Sequence, residues 1–185
     1  MKRLSSVVLA AAALCMVAAP SAKAQGTLRY GFSAGLLMPT STYKQGDKLG
    51  WVGGVGATYW LPGNFGVRGE LSYSQTSHDS ATFGAAGHTK LIGGMASAVY
   101  ALNPASAPAR IILSAGLGFY NVKADANGVS LPSSTKVGFG GGVAVAFKLG
   151  TGSTRLVVAS RYQSVSTSPS SLSFIPITVG LSFGK

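Results

Sequence analysis

The chain has 185 residues, of which 26 are glycine and only 10% are charged, and its formal net charge is +11. Soluble domains carry about 25% charged residues, so this composition does not suit a surface bathed all round in water. Beyond the first two dozen residues the longest apolar run, 91–102, is too short and too glycine-broken for a spanning helix of about 20 residues, which excludes a helical membrane protein.

The first element in the chain is a targeting segment. Lys2 and Arg3 form a basic start, 4–19 is an apolar stretch dominated by alanine, and Ala22-Lys23-Ala24 is a small-x-small cleavage motif. The expected organisation is a signal peptide over 1–24 and one mature domain over 25–185. Cys15 lies inside the signal and follows Leu14, which is not the small residue that a lipoprotein anchor requires, so the mature chain has no thiol chemistry. Loss of Lys2, Arg3 and Lys23 leaves 12 basic against 4 acidic side chains. The basic residues are spread one or two per strand, without a basic run or a nucleic-acid motif, so no nucleic-acid partner is expected.

Eight stretches follow, at 27–39, 49–61, 65–77, 88–102, 110–122, 135–149, 154–165 and 173–183, and in most of them every second residue is apolar. Alternation with a period of two places one set of side chains on one face of a sheet. The first stretch puts Leu28, Tyr30, Phe32, Ala34, Leu36 and Met38 on the apolar face, with Arg29, Gly31, Ser33 and Gly35 opposite. The second puts out Leu49, Trp51, Val55, Ala57, Tyr59 and Leu61. The third puts out Phe65, Val67, Leu71 and Tyr73, against Arg68, Glu70, Ser72 and Ser74. In the fourth, Leu91-Met95-Val99 and Ile92-Ala96-Tyr100 are equally apolar registers. The sixth sets Val137, Phe139, Val143, Val145 and Phe147 against Lys136, Gly138, Gly140, Gly142 and Lys148, and the last sets Ile175, Ile177, Val179, Leu181 and Phe183 against Phe174, Thr178, Gly180 and Ser182.

In the seven unambiguous strands no charge falls on the apolar register: Arg29, Arg68, Glu70, Arg110, Lys136, Lys148, Arg155 and Arg161 all lie on the other face. A barrel in lipid requires this, because an Arg or Lys at the midplane costs about 2–4 kcal/mol. The polar face is mainly Gly, Ala and Ser, which suits the crowded inside of a narrow barrel rather than a watered surface. The connections alternate in length. The segments 40–48, 78–87, 123–134 and 166–172 are long, and 62–64, 103–109 and 150–153 are shorter, as outer loops and periplasmic turns would be with both termini in the periplasm. Aromatic residues gather at the strand ends, Tyr30, Tyr59, Phe65, Tyr100, Phe147 and Phe183 at one side and Trp51, Tyr73, Phe119 and Tyr162 at the other. The expected fold is an all-β, eight-stranded, antiparallel up-and-down transmembrane barrel.

Taken together, the signal peptide, the eight alternating strands and the closing stretch Phe174-Ile175-Pro176-Ile177-Thr178-Val179-Gly180-Leu181-Ser182-Phe183 resemble the bacterial outer-membrane protein beta-barrel domain family. The resemblance implies that the final strand is read by the barrel-assembly machinery, with Thr178, Gly180 and Phe183 fitting a polar-x-Gly-x-x-aromatic signal. Gly184 and Lys185 extend past the aromatic at which many members stop. It also implies an integral protein of the outer membrane, in contact with its lipid and lipopolysaccharide.

Glu70 is the only acid on any expected strand, and it shares the inward face with Arg29, Arg68, Arg155 and Arg161. A buried carboxylate needs a partner, and guanidinium is the natural one, so these five residues are expected to form a lumen charge network that plugs the barrel. Two other readings give this chain a narrow anion-leaning pore gated at Glu70 and its arginines, or a lipid A-modifying enzyme. The second would draw on His78, Asp79, Ser80 and His88, but adjacent loop residues do not by themselves supply the geometry of a nucleophile and its base, and no family motif for it is present. Asp47, Asp79 and Asp125 stand one on each of three loops, with no pair at cation-ligand spacing. The glycines of 138–142 precede no helix and are not a phosphate cradle. Catalytic residues, metal and cofactors are therefore assigned to none. The expected role is structural or surface-interacting, with loops 40–48, 78–87, 123–134 and 166–172 open to an extracellular partner.

Overall fold

The computed structural model describes residues 26–45, 47–78, 87–126, 129–130, 132–167 and 171–184. The expected signal peptide over 1–24 lies outside them. The strands are β1 (Thr27–Thr40), β2 (Gly50–Trp60), β3 (Phe65–Ser77), β4 (Gly87–Ala101), β5 (Ala109–Ala126), the two-residue β6 (Val129–Ser130), β7 (Ser134–Lys148), β8 (Arg155–Val165) and β9 (Leu172–Phe183), with a 3₁₀ turn at Ser41–Gln45. The sheet order is β4-β3-β2-β1-β9-β8-β7-β5-β6, and a further β4–β5 pairing closes it. Eight long antiparallel strands thus make a closed barrel in which each is paired with a long strand on both sides. β6 is a short return against the end of β5, pairing Asp125 with Ser130 and Ala126 with Val129. The first and last long strands meet from Tyr30↔Phe183 to Thr40↔Ser173.

Strand parity decides inside and outside. Leu28, Tyr30, Phe32, Leu36 and Met38 of β1, Leu113, Leu117 and Phe119 of β5, and Ile177, Val179 and Phe183 of β9 are all exposed. They form a continuous apolar belt around the outer face. Aromatic rings edge the belt, with Trp51 packing on Tyr73 at 5.3 Å between centroids at the long-loop end, and Phe32 on Phe183 at 6.0 Å towards the other. The three short turns and both ends of the described chain lie at that second end, here the terminus end. The turns there use Gly63 (φ 97°) and Gly150 (φ 62°), in the left-handed region that side chains avoid.

The fourth strand's two apolar registers are resolved. Leu91, Met95 and Val99 are buried inside, and Ile92 and Tyr100 are exposed outside. The reason lies above the belt. Beyond Ile92 the outward positions of β4 are Lys90 and His88, and those of β5 beyond Phe119 are Asn121, Lys123 and Asp125. Lys90 Nζ donates to Asp125 Oδ2 at 2.8 Å across this rim. The β4–β5 hairpin therefore climbs out of the apolar belt with a polar outer face, which is also why β5 continues four residues past its expected end at 122.

Glycine on the inward face makes room for one large ring. A Cβ at Gly93 would sit 2.6 Å from the ring of Tyr120, and one at Gly138 would sit 2.8 Å from it. Tyr120 is only 2% exposed. It slots across the lumen between β4 and β7, whose backbones could not approach it with side chains at those positions.

Candidate functional site

The lumen is layered. The long-loop half is a packed plug in which Leu37, Tyr43, Val52, Leu91, Tyr120, Val165 and Phe174 form one buried cluster. Tyr43 comes from the loop after β1: the 3₁₀ turn, with Ser41 at φ 56°, folds it inward against Phe174 at 6.3 Å. Its position in a loop gave no periodic signal for burial. Phe174 in turn meets Tyr120 edge-on at 6.4 Å.

Above the plug, a polar cluster ties the loop bases down. Tyr43 donates to Thr76 Oγ1 at 2.8 Å, and Thr76 donates to Asp47 Oδ1 at 2.6 Å. His78 Nε2 lies 3.0 Å from Thr89 Oγ1 and 3.9 Å from Asp47 Oδ1. Burial pushes the Asp47 carboxyl above its ordinary range, against the opposing hydrogen bond from Thr76 and the charge of His78. Burial likewise pushes the Tyr43 phenol up. Asp79 and Ser80 lie outside the described residues, and His88 faces outward with Nδ1 3.4 Å from Ser77 Oγ. Asp47 and Asp125 are thus engaged by Thr76 and Lys90 and do not converge on a common point. Among the described residues no three of His, Cys, Asp and Glu come together as metal ligands would.

Below the plug lies the charged layer. Glu70 Oε1 accepts from Arg161 Nη2 at 2.5 Å, and Glu70 Oε2 lies 2.7 Å from Arg68 Nη2 in a contact of charges rather than an aligned hydrogen bond. Met95 joins this layer to the plug, its sulfur taking contacts from Arg161 Nη1 at 3.6 Å and from Tyr120 Oη and Gln163 Nε2 at 3.7 Å. Of the five residues expected in one network, three meet. Arg29 and Arg155 share the inward face but point to the mouth at the terminus end, too far along their strands to reach Glu70. Arg29 donates to Ser182 Oγ and to the carbonyls of Ser182, Gly184 and Ser153. Arg155 donates to the carbonyls of Ala105, Ala107 and Ala146. A sixth lumen charge, Arg110, lies at this mouth too. It is 6% exposed and stacks on Trp60 at 3.9 Å. Its parity placed it inside, and the sequence reading left it out of the Glu70 network without giving it a partner.

These mouth arginines line a cavity of about 430 Å³ that runs from the short turns to the Glu70 layer. The structure places Thr178 and Gly180 on the inner face of β9 and Phe183 on its outer edge. Gly180 sits so close to the Phe32 carbonyl that a Cβ would come within 2.2 Å of it, so the seam between first and last strands depends on this glycine.

A closed eight-stranded barrel with an apolar, aromatic-edged outer belt and a charged interior defines a class of transmembrane barrels. The family model described as "Outer membrane protein beta-barrel domain" matches residues 7–183, and the chain belongs to that family. Among solved structures it is similar to Neisserial surface protein A, at 18% identity and a TM-score of 0.66, covering 85% of this chain and 97% of that one. It is similar to a major outer membrane protein of Thermus thermophilus, at 15% identity and a TM-score of 0.58, covering 85% and 99%. It is also similar to the attachment invasion locus protein Ail of Yersinia pestis, solved with the heparin analogue sucrose octasulfate, at 16% identity and a TM-score of 0.53, covering 85% and 97%. Comparison with curated proteins finds no match. The protein is an outer-membrane β-barrel.

Proposed function

We propose that this barrel has a structural and surface-interaction role without catalysis, exposing its long-loop end at the cell surface and keeping both termini in the periplasm after removal of 1–24. The observation that carries this reading is the plug. At the long-loop end the lumen is filled by Tyr43, Tyr120 and Phe174, and the loop bases are held by the Tyr43–Thr76–Asp47 chain of hydrogen bonds. A lumen filled in this way is no open channel at that end, which disfavours the pore reading. Lys44, Lys48, Lys90, Lys123 and Lys136 all belong to this end. They suit contact with the phosphates of lipopolysaccharide around the rim and with an extracellular partner on the loops. At the opposite seam, Thr178, Gly180 and Phe183 form the strand offered to the barrel-assembly machinery.

The only cysteine lies in the signal segment, so single cysteines report topology cleanly. A membrane-impermeant maleimide applied to intact cells is expected to label Lys44→Cys and to spare Gly152→Cys, in an exposed short turn at the terminus end where a side chain meets no clash. The reverse pattern overturns the orientation. Lipid A mass spectra from cells with and without the protein are expected to be identical. A changed acyl chain would establish the enzymatic reading instead.

A further inference from the structure

We propose that the terminus-side half of the lumen is a binding site for a small, multiply charged oxyanion, phosphate or a phosphomonoester group, seated on the guanidinium of Arg110. The starting point is an imbalance of partners. Arg110 is buried, at 6% exposure, yet it makes no hydrogen bond to the described residues and its Nε has no acceptor. It stacks on the face of Trp60, with its guanidinium carbon 3.9 Å from the ring centroid. A guanidinium carries five N–H donors, and a buried charged donor left bare is costly. Stacking on the Trp60 ring holds the plane of the group and leaves its donor edges unused.

The other lumen arginines cannot share their partners with it. Arg68 and Arg161 are taken by Glu70. Arg29 and Arg155 are pinned by backbone carbonyls and, for Arg29, by the hydroxyl of Ser182, which fixes their position without cancelling their charge. The described carboxylates other than Glu70, Asp47 and Asp125, sit at the far end of the barrel among Thr76 and Lys90. Three guanidinium groups, Arg29, Arg110 and Arg155, therefore share one mouth, and the described carboxylate that borders the cavity, Glu70, is already taken by Arg68 and Arg161.

All three line the same cavity of about 430 Å³, and its floor is the Glu70 layer beneath the plug. It is a blind vestibule, roomy enough for a phosphate-sized ligand. The chemistry follows from the charges. Arg110 offers the forked donors that suit two oxygens of one ligand, and Arg29 and Arg155 supply a fixed positive field that favours a dianion over a monoanion. The inference concerns the lumen alone and stands apart from the surface role proposed above.

The test uses the full barrel folded in zwitterionic detergent, with Trp51→Phe so that Trp60 is the only tryptophan. Folding is checked by the mobility shift on boiling. Inorganic phosphate and chloride are titrated at matched ionic strength, and calorimetry repeats the phosphate titration. The expected result is a saturable change in Trp60 emission with phosphate at a midpoint at least tenfold below that for chloride. Arg110→Gln is expected to weaken phosphate binding at least tenfold by calorimetry, while Lys44→Gln at the opposite end leaves it unchanged. If Arg110→Gln does not fold, Arg110→Lys takes its place, with weakened binding expected again. Equal midpoints for phosphate and chloride, no saturable response to phosphate, or unchanged phosphate binding in the folded Arg110 variant each overturn the proposal.

Discussion

Glu70 holds two guanidinium groups inside a small barrel, and removing it leaves both without a counter-charge. Breaking a buried ion pair by deleting one partner costs about 3–5 kcal/mol. The Arg68 side chain is 31% exposed and that of Arg161 14% exposed, so the lower end of that range applies. Glu70→Gln is expected to lower the free energy of unfolding in lipid vesicles by about 3 kcal/mol, read by urea titration. A double-mutant cycle with Arg161→Gln should return a coupling of about 1–3 kcal/mol, and a cycle with Arg29→Gln close to none. Asp47 behaves in the opposite sense to a paired surface acid. Its carboxyl is raised in the fold because it is buried, so the folded state holds the proton more tightly than the unfolded chain. This contribution to stability is complete below the unfolded value of about 3.9 and is lost as pH rises through the raised folded value. Asp47→Asn is therefore expected to flatten the fall in stability between about pH 4 and neutrality. A variant whose urea midpoint still falls with the wild-type slope over that range would count against this account.

Among the elements, β4 and β7 are shaped by a ring that belongs to neither. Gly93 and Gly138 flank Tyr120, and a Cβ on either would press into it. Gly138→Val is expected to cost about 1–3 kcal/mol by overpacking, measured by unfolding in vesicles. Part of that cost should return when Tyr120→Ala is added, because the two changes share one volume. The alternation of these strands was legible in the sequence, including the glycines on the inward face. That those glycines face one tyrosine was not, because which residue of β5 lies against each glycine depends on the register of the β4–β5 and β5–β7 pairings. The register of β4 was equally closed to sequence reading: both of its faces are apolar within the span 91–100, and only the polar positions Lys90 and His88, together with the partners on β5, break the tie.

For the whole molecule the governing fact is the outward apolar belt. Val143 on β7 is 44% exposed and lies in mid-belt. Val143→Arg is expected to destabilise the barrel by about 2–4 kcal/mol in bilayers, and by less in a detergent micelle, which yields more easily around a charge. Equal losses in both media would mean that Val143 does not lie against hydrocarbon.

The sequence alone determined which residues turn in and which turn out in every long strand but β4. A strand alternates its side chains with a period of two, and a charge cannot sit on the face exposed to an apolar medium, so parity and the avoidance of charge carried the fold, most of the strand limits and the inward placing of Arg29, Arg68, Glu70, Arg110, Arg155 and Arg161. The tertiary structure decided which of those charges meet. Glu70 and Arg161 stand 91 positions apart in the chain, and only the closure of the barrel sets the height of each along the common axis. That height joins Arg161 and Arg68 to Glu70, sends Arg29 and Arg155 to the mouth, leaves Arg110 against Trp60 and brings Tyr43 down from its loop. Alternation fixes direction across the wall, whereas level along the axis depends on strand pairing and stagger, which no single strand encodes.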